Sequence, residues 1–429
     1  MQTLKIKPIH RLIASLILAI FVFIVTLQAV PKPKTLALIL MFVPILDVWI
    51  DYWIRLQQRT TKLFLWIFYA SIVGFCAVII GFLVTPLAYW TPVLRVYGYG
   101  AMLITVALKI FLANFLFLHL IISKSNFFRK IVSPKRWFQT GIILLVLMIS
   151  FVIYGSVYEV FDLRVRRIEL KDGAVPKAFD GYKIVQFSDM HIGSQVSKRY
   201  VKKLVDSINA QNPDLVVFTG DMVNFFAEEI VPFVNLFSQI QAKDGVFVVF
   251  GNHDYSNYLI WKTPKDSADD VQRLRNIYRT MGWRILSNEH VWLYRGNDSI
   301  ALAGVENYSS KKTKRWRNLA DTEGALKGIS ASDFIVMISH NPEHFNEVLQ
   351  IDYPYVNLTL TGHSHGGQMA IGIKQWQFSI TRITMKYWRD FYSFGDQYLN
   401  VNTGCGFNTL PFRINMPPSI SLIELKTKN

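Results

Sequence analysis

The stretch LTLTGHSHGGQ, residues 358–368, joins an apolar run typical of a buried β-strand to two histidines and paired glycines. Side chains alternate along a strand, so His363 and His365 project to the same side and can face one site. Seen alone, the pair could also be two solvated side chains. The residues that follow the other apolar runs of the chain distinguish these two interpretations.

Polar groups of the same kind end several other short apolar runs in the second half of the chain. KIVQFS precedes Asp189 and His191, DLVVFT precedes Asp221, VFVVFG precedes Asn252, His253 and Asp254, and FIVMIS precedes His340. Helix-like segments such as YVKKLVDSINA and DDVQRLRNIYRTM lie between the runs. This alternation predicts an α/β fold with sheets buried on both faces.

The residue types at these strand ends indicate a metal site. Carboxylates, imidazoles and a carboxamide form a mixed oxygen and nitrogen set that suits Mn, Fe or Zn better than a thiolate site would. One carboxylate can bridge two cations about 3.5 to 4 Å apart, and such a pair can hold a hydroxide and clamp a phosphoryl oxygen. The two histidines of the opening stretch are therefore predicted to bind two different metals.

Each of these residues also has a structural interpretation when it is taken singly. Asp221 could be a turn or N-cap aspartate, Asn252 a turn former, and His340 a surface histidine. Their occurrence in order, each at the end of a predicted strand, favours the metal site.

The ordered motifs resemble those of the calcineurin-like metallophosphoesterases. The matching residues are Asp189-Met190-His191, Gly220-Asp221, Gly251-Asn252-His253-Asp254, His340 and Gly362-His363-Ser364-His365. The resemblance covers about residues 164–425. The segments SHNPE, GHSHGGQ and NTGCGFNTLPFRINMPP are similar to the bacterial membrane-associated branch that includes the YkuE-like and YaeI-like phosphoesterases.

The resemblance implies a fold of two packed mixed β-sheets flanked by helices, with two divalent metal ions, Mn, Fe or Zn, at the strand ends. It implies that the first metal is held by Asp189, His191, Asp221 and His365. The second would be held by Asp221, Asn252, His340 and His363, so that Asp221 bridges the two.

The resemblance also implies an enzyme, a metal-dependent phosphoesterase that cleaves a phosphate monoester, diester or pyrophosphate with a metal-bridging hydroxide. His253 is expected to stabilise the transition state and to protonate the leaving oxygen, with Asp254 fixing its ring orientation. Asn252 is expected to absorb charge on the phosphoryl oxygens in addition to binding metal. The complete set of ligands argues against a catalytically inactive binding module.

The first part of the chain is unusually apolar. Residues 12–30, 35–54, 63–90, 97–122 and 137–161 are long and apolar enough to be transmembrane helices. We therefore expect a transmembrane region of about five helices at 1–160 and a metallophosphoesterase domain at 161–429. Asp47 and Asp51 make the second span the weakest, and Asp47 is expected to pair with Lys109. Charges inside the membrane leave a transporter or sensor with an accessory phosphoesterase domain as the alternative function.

The net charge of +16 belongs mostly to this apolar region. Residues 1–160 contain 15 basic and 3 acidic residues, whereas 161–429 contain 31 and 27. Because basic residues flank membrane spans on the cytoplasmic side, topology explains the excess, and no nucleic-acid partner is expected. The expected partners are a membrane and a phosphate-containing substrate, with proximity favouring a lipid-linked or envelope phosphate.

The basic loops also predict an orientation. The N-terminus and the loops at 55–62 and 123–136 hold 3, 3 and 5 basic residues, against 2 and 1 in the loops at 31–34 and 91–96. The positive-inside rule then places the N-terminus in the cytoplasm, and an odd number of spans places the catalytic domain outside it. We expect a multi-pass protein of a bacterial inner or plasma membrane.

Overall fold

The structure is a computed structural model, and it describes residues 8–29, 34–56, 62–125, 127, 134–195, 197–311, 317–373, 376–408 and 410–428. The chain divides into two compact units, Met1–Tyr154 and Gly155–Asn429. The predicted domain boundary between residues 160 and 161 falls a few residues inside the second unit.

The first unit is helical. Among the described residues, three runs are long and apolar enough to cross a membrane, namely Leu65–Val84, Leu94–Ile122 and Gln139–Phe161, and the apolar run Ile13–Ala29 is shorter. The helices are α1 (Pro8–Ala29), α2 (Lys34–Met41), α3 (Val43–Leu56), α4 (Lys62–Val84), α5 (Gly100–Ile122) and α6 (Pro134–Ile153).

The expectation of five spans is not confirmed. The stretch 35–54 is divided at Phe42 into α2, of 8 residues, and α3, of 14 residues. Each is shorter than the roughly 20 residues that cross a bilayer as a helix. Pro44 has no backbone N–H with which to continue the hydrogen bonds of α2, which explains the break. The basic loops that predict orientation lie largely outside the described residues, so the orientation stays a prediction.

Charged side chains inside the helical unit form ion pairs. Lys109 Nζ lies 2.8 Å from Asp47 Oδ1, and both side chains are largely buried. Arg11 Nη1 lies 3.2 Å from Asp51 Oδ2, and Tyr69 donates a hydrogen bond to Asp51 at 2.8 Å. The expected pairing of Asp47 with Lys109 is confirmed.

The second unit contains two six-stranded sheets, each with parallel and antiparallel neighbours. In spatial order, sheet one holds β1 (Arg164–Asp172), β12 (Ser419–Thr427), β2 (Lys183–Phe187), β3 (Leu215–Phe218), β4 (Val246–Val248) and β5 (Arg284–Ile285). Sheet two holds β10 (Asp390–Phe394), β11 (Gln397–Val401), β9 (Leu358–Thr361), β8 (Phe334–Ile338), β7 (Asp298–Gly304) and β6 (Glu289–Arg295).

Helices accompany these sheets, as the sequence predicts. They are α7 (Lys198–Asn209), α8 (Val234–Phe237), α9 (Pro264–Thr280), α10 (Thr322–Leu326), α11 (Gln350–Asp352) and α12 (Thr381–Thr384). The predicted class, an N-terminal helical region followed by a domain with two mixed sheets flanked by helices, is confirmed.

The core between the sheets is built from alternate residues of each strand. In β8, Phe334, Val336 and Ile338 pack in the same cluster as Val217 of β3, while Met337 faces the layer on the other side of sheet two. Burying an apolar side chain of this size contributes roughly 1.5 to 3 kcal/mol. Two-sided burial explains why these strands have continuous apolar sequences.

A buried polar link joins the two sheets next to their parallel strand ends. Gln186 Nε2 of β2 donates to the carbonyl of Thr361 in β9 at 2.8 Å, and Asn400 Nδ2 of β11 donates to Gln186 Oε1 at 2.6 Å. All three residues are fully buried, so each of these hydrogen bonds is costly to leave unmade. The link fixes the sheets relative to each other at the edge where the predicted ligands follow.

Candidate metal centre

The predicted ligands all follow parallel strands and meet at one edge of the two sheets. Asp189 and His191 follow β2, Asp221 follows β3, Asn252 follows β4, His340 follows β8, and His363 and His365 follow β9. Six of the seven are buried and His363 is half-buried. Both sheets therefore contribute side chains to one buried cluster.

The first group within this cluster comprises Asp189, His191 and His365. Their ligand atoms all lie within 4.8 Å of one another. The Nε2 atoms of His191 and His365 are 3.0 Å apart, and His365 Nε2 is 3.5 Å from Asp189 Oδ1. These distances allow the three side chains to hold one cation.

The second group comprises Asp221, His340 and His363, whose ligand atoms also lie within 4.8 Å of one another. His340 Nε2 is 3.2 Å from Asp221 Oδ2 and 3.0 Å from His363 Nδ1. Asn252 Oδ1 lies 3.2 Å from the same His340 nitrogen. Four side chains therefore converge in the grouping expected for a second cation.

Asp221 lies between the two groups. Its Oδ2 atom is 3.2 Å from His340 Nε2 of the second group and 3.7 Å from His191 Nε2 of the first. Its Oδ1 atom accepts a hydrogen bond from the backbone N–H of His253 at 2.8 Å. One carboxylate oxygen thus faces both groups, which is the arrangement that a bridging ligand requires.

The protonation of the imidazoles suits divalent cations. Burial lowers the pKa of His191 and of His365 well below the usual value, so both rings are neutral and keep a lone pair. His340 Nδ1 lies 2.8 Å from the carbonyl of Thr219 and donates to it, so Nε2 is the ring nitrogen that faces the cluster, where a bound cation would replace its proton. The donor set therefore fits a transition metal.

Electrostatic attraction within the cluster is strong around Asp221. Burial raises the pKa of this carboxyl, but the neighbouring charges of His340 and His253 outweigh burial and hold the pKa well below the usual value. Burial lowers the pKa of His340, and the Asp221 carboxylate outweighs it and raises the pKa to about 9. Asp221 is therefore ionised and attracts positive charge from more than one side.

Five of the predicted ligands have a backbone that side-chain-bearing residues rarely adopt. The positive φ angles are 50° at Asp189, 43° at His191, 60° at Asp221, 68° at His363 and 51° at His365. Each such conformation costs on the order of 1 to 3 kcal/mol and persists where the surroundings enforce it. Strain at five of the seven predicted ligands supports a functional role for the cluster.

His253 lies beside the first group. Its ring meets the His191 ring edge-on, with centroids 4.6 Å apart, and one of its ring nitrogens lies within 4.8 Å of a His191 ring nitrogen and of an Asp221 carboxylate oxygen. Its Nδ1 atom is 2.8 Å from the carbonyl of Asn224, and its Nε2 atom is 3.3 Å from Asn408 Nδ2. Proximity alone is thus compatible with either an acid or a ligand.

The contacts of Asp254 differ from those expected. The His253 ring is oriented through Asn224, whereas the Asp254 carboxylate accepts backbone N–H groups of Gly251, Asp221 and Met222 at 2.8 to 2.9 Å. A carboxylate positioned by several N–H donors stabilises the turn that carries Asp221. Asp254 therefore shapes the cluster through the backbone.

Tyr258 is a neighbour of the cluster that the sequence did not identify. Its ring stacks on His253 with centroids 3.9 Å apart, and its hydroxyl accepts a hydrogen bond from Asn252 Nδ2 at 2.7 Å. This hydrogen bond directs the amide oxygen of Asn252 toward His340. The only sequence signal is an aromatic residue shortly after the Gly-Asn-His-Asp motif.

Arg413 organises the C-terminal stretch behind the cluster. Its fully buried guanidinium donates to the carbonyls of Thr403 at 2.9 Å, Gly406 at 2.6 Å and Met416 at 2.9 Å. Carbonyl acceptors from three points of one loop hold that loop in a single conformation. The loop in turn packs against the turn that carries Asp189, since the backbone N–H of Gly406 donates to the Asp189 carbonyl at 2.9 Å.

We predict that Gly406→Ala disrupts the metal centre although Gly406 offers no ligand atom. A Cβ at this position would lie 1.9 Å from the carbonyl oxygen of Met190, so the Asp189 turn must shift. Overpacking of this kind costs about 1 to 3 kcal/mol, and a displacement of about 1 Å at a catalytic group lowers kcat/KM by about 10²-fold. Gly173→Ala is the matched control, because nothing lies within 4 Å of its Cβ. Equal activity of the two variants would contradict the prediction.

Comparison with known proteins identifies the family. Residues 182–367 match the family model described as calcineurin-like phosphoesterase. The metallophosphoesterase YkuE of Bacillus subtilis is 30% identical over 287 residues, which cover 64% of this chain and 90% of that protein. A transmembrane protein with metallophosphoesterase domain from Danio rerio is 25% identical over an alignment that covers 71% of this chain and 67% of that protein. The UDP-2,3-diacylglucosamine pyrophosphatase LpxG of Chlamydia trachomatis is 26% identical over an alignment that covers 61% of this chain and 89% of that protein.

The fold, the clustered ligands and these relatives define a metal-dependent phosphoesterase, a hydrolase whose substrate contains phosphate. The chain belongs to the calcineurin-like metallophosphoesterase family. The predicted resemblance to bacterial YkuE-like phosphoesterases is confirmed.

Proposed function

We propose that the protein uses two divalent metal ions to hydrolyse a phosphate ester or pyrophosphate of a lipid-linked or envelope substrate. The observation that carries the two-metal proposal is the position of Asp221, one oxygen of which lies 3.2 Å from His340 Nε2 and 3.7 Å from His191 Nε2. A centre for a single ion does not need a carboxylate between two separate ligand groups.

Each of the two ligand groups would hold one ion. Asp189, His191 and His365 would hold the first ion with Asp221, and Asn252, His340 and His363 would hold the second with Asp221. Bound there, the ions would supply Lewis acidity toward the phosphoryl oxygens.

His253 is proposed to move the proton that the leaving oxygen needs. Its Nδ1–H donates to the Asn224 carbonyl, which can only accept, so the exchangeable position is Nε2. The Asn408 amide, 3.3 Å from Nε2, can turn either its nitrogen or its oxygen toward that atom. Stacking on Tyr258 holds the ring while the proton at Nε2 is transferred.

Helices long enough to cross a membrane support the proposal of a lipid-linked substrate. Apolar helices of spanning length tether the catalytic unit to a bilayer, which raises the effective concentration of phosphates in that bilayer. LpxG is named as a pyrophosphatase of a diacylated nucleotide sugar. We therefore favour a diphosphate or phosphodiester attached to an acyl-bearing group.

The test of this proposal is a substrate panel run on the full chain in detergent and in nanodiscs. The panel contains p-nitrophenyl phosphate, bis-p-nitrophenyl phosphate and an acylated nucleotide-sugar diphosphate, each with Mn, Fe or Zn and with a chelator. Metal-dependent turnover, fastest on the acylated diphosphate, and two ions per chain by elemental analysis are expected. One ion per fully active chain would overturn the two-metal proposal, and preference for the soluble esters would overturn the lipid-linked substrate.

We also propose that the catalytic unit lies outside the cytoplasm. The bias of Lys and Arg toward the N-terminus and the loops at 55–62 and 123–136 supports this orientation. We predict that a reporter active only outside the cytoplasm works when fused after residue 429 and fails when fused within 123–136. The reverse pattern would place the active site in the cytoplasm and direct the search to cytoplasmic phosphates.

A cavity in the helical unit favours the second candidate function, a transporter or sensor. The cavity has a volume of about 210 Å³, and Ser71, Thr105 and Lys109 are among the residues that line it. The pairing of Lys109 with Asp47 at 2.8 Å neutralises the charge beside this cavity and favours a structural role.

We predict that Lys109→Met lowers the free energy of unfolding by about 3 to 5 kcal/mol, because it leaves Asp47 buried without a partner. The double variant with Asp47→Leu should recover most of this loss, as replacement of a buried pair by apolar residues is often neutral. Thermal unfolding in detergent measures both. Full stability of the single variant, or stabilisation of the wild-type protein by a transported anion, would favour the transporter.

A further inference from the structure

An exposed apolar hairpin follows the ligands of β9. We use the name apolar hairpin for residues 369–373 and 376–383. Five of its large apolar side chains are 71% to 77% exposed, namely Ile371, Ile373, Trp376, Ile380 and Ile383. Single exposed apolar residues are ordinary, but a contiguous set marks an interaction surface.

The exposure pattern of the apolar hairpin is inverted relative to that of a soluble protein. Ile371 and Phe378 exchange two backbone hydrogen bonds of 2.8 Å, which fixes the pairing. Along the second arm, Gln377 and Ser379 are buried, whereas Trp376, Phe378 and Ile380 face outward. Gln377 is held inside by Arg389 and by the Asn415 carbonyl. Polar residues inside and apolar residues outside form the pattern of a segment that lies at a lipid surface.

Basic residues accompany the apolar side chains in the sequence. The segment 353–389 contains Lys374, Arg382, Lys386 and Arg389 and has no acidic residue in its sequence. The side chains of Arg382 and Lys386 are exposed. Isoleucine and tryptophan beside lysine and arginine are the composition of segments that bind the surface of an anionic bilayer.

The apolar hairpin is joined rigidly to the metal centre. It begins four residues after His365, and Gly367 lies so close to its second arm that a Cβ would be 2.1 Å from Ser379 Oγ. The backbone N–H of Ala370 donates to the Ile414 carbonyl at 2.9 Å. Whatever the apolar hairpin binds is therefore held next to His363 and His365.

We propose that the apolar hairpin inserts into the surface of a bilayer with anionic headgroups and holds the metal centre at the lipid boundary. A bilayer is the occupant that the chain itself brings close, since its apolar helices are of spanning length. The outward-facing apolar side chains and the exposed Arg382 and Lys386 fit a lipid surface better than a second protein copy. The inference rests on the proposed function only for the identity of the phosphate that lies at that boundary.

The test attaches an environment-sensitive fluorophore to the full chain in nanodiscs. Trp376→Cys carries the label in a Cys76→Ala background, because Cys405 is fully buried. Tyr294→Cys is the matched control, an exposed position opposite Ser299 at the end of sheet two away from the ligands. The nanodiscs contain brominated lipids, either zwitterionic alone or mixed with anionic lipid.

The label at 376 should lose fluorescence to lipids brominated near the headgroup, because interfacial segments enter about 5 to 10 Å, and the loss should be larger with anionic lipid. The label at 294 should be unaffected. Equal fluorescence at both positions would overturn the proposal. So would a label at 376 that is covered by a second copy of the chain and is not quenched by the brominated lipids. The measurement uses no turnover, so an inactive but quenched protein would refute the proposed function and leave the docking intact.

Discussion

Replacement of Asp221 by asparagine should lower kcat/KM by on the order of 10³-fold or more, above the 10² to 10³-fold that loss of one preorganised electrostatic contact costs. The neutral amide cannot supply the negative charge between the two ligand groups, where Oδ2 now faces His340 and His191. We expect the variant to bind fewer than two ions per chain. Initial rates and elemental analysis of the same metal-loaded sample measure both effects.

Asp206→Asn is the matched control for this variant. Asp206 is exposed on α7 and pairs with Lys202 at 2.8 Å, four residues earlier on the same helix. Such a surface pair contributes about 0.3 to 0.5 kcal/mol, so its removal should change neither activity nor metal content. If Asp221→Asn kept both ions and an activity within about tenfold of the wild type, Asp221 would not be the bridge.

The central strands were predictable because burial on both faces leaves a simple signal. The runs that precede Asp189, Asp221, Asn252, His340 and His363 form β2, β3, β4, β8 and β9. A strand covered on both sides has no polar face, so it is a short continuous apolar run. Polar groups placed directly after such runs then locate the edge at which the ligands meet.

Long-range pairing could not be predicted in this way. β12 lies between β1 and β2, and its register pairs Ser419 with Arg164 across most of the domain sequence. No local pattern specifies a partner at that separation. In the helical region, the sequence showed the apolar run at 35–54 by its composition, whereas the division of that run into α2 and α3 beside Pro44 came from the structure.

At the site, residue types were predictable and orientations were not. The order of carboxylates and imidazoles identifies the seven side chains that the structure brings together. The His253 ring donates to the backbone carbonyl of Asn224. Every residue has such a carbonyl, so the sequence does not indicate which one the ring contacts. Asp254 adjoins His253 in sequence, yet its carboxylate points to the backbone of the Asp221 turn. Adjacency in sequence was therefore a poor guide to contact.

The apolar hairpin illustrates the same limit on a surface. Its isoleucines and aromatic residues have the composition of a core strand. Only the structure reveals that the alternate polar residues, Gln377 and Ser379, face inward. A period of two identifies two faces of a strand, and it does not identify which face the protein buries.

His253→Ala should keep both metal ions and lower kcat by about 10² to 10⁴-fold for substrates with poor leaving groups. Removal of the ring deletes the proton donor at Nε2, whereas the ligand groups around Asp221 keep all their members. A leaving group that is already a weak base needs no proton, so the loss should shrink for p-nitrophenyl esters. Rates across a series of leaving groups, with metal content measured on each sample, test both statements.

His290→Ala is the matched control, since His290 is a partly buried histidine of β6 whose Nδ1 contacts the Ala325 carbonyl. It should leave turnover and metal content unchanged. The decisive contrary outcome is metal loss from His253→Ala, because His253, His191 and Asp221 have ligand atoms within 4.8 Å of one another. Metal loss would make His253 a ligand. An equal loss of kcat for good and poor leaving groups, with both ions retained, would instead assign it to stabilising charge on the phosphoryl group, since proton donation alone makes the loss depend on the leaving group.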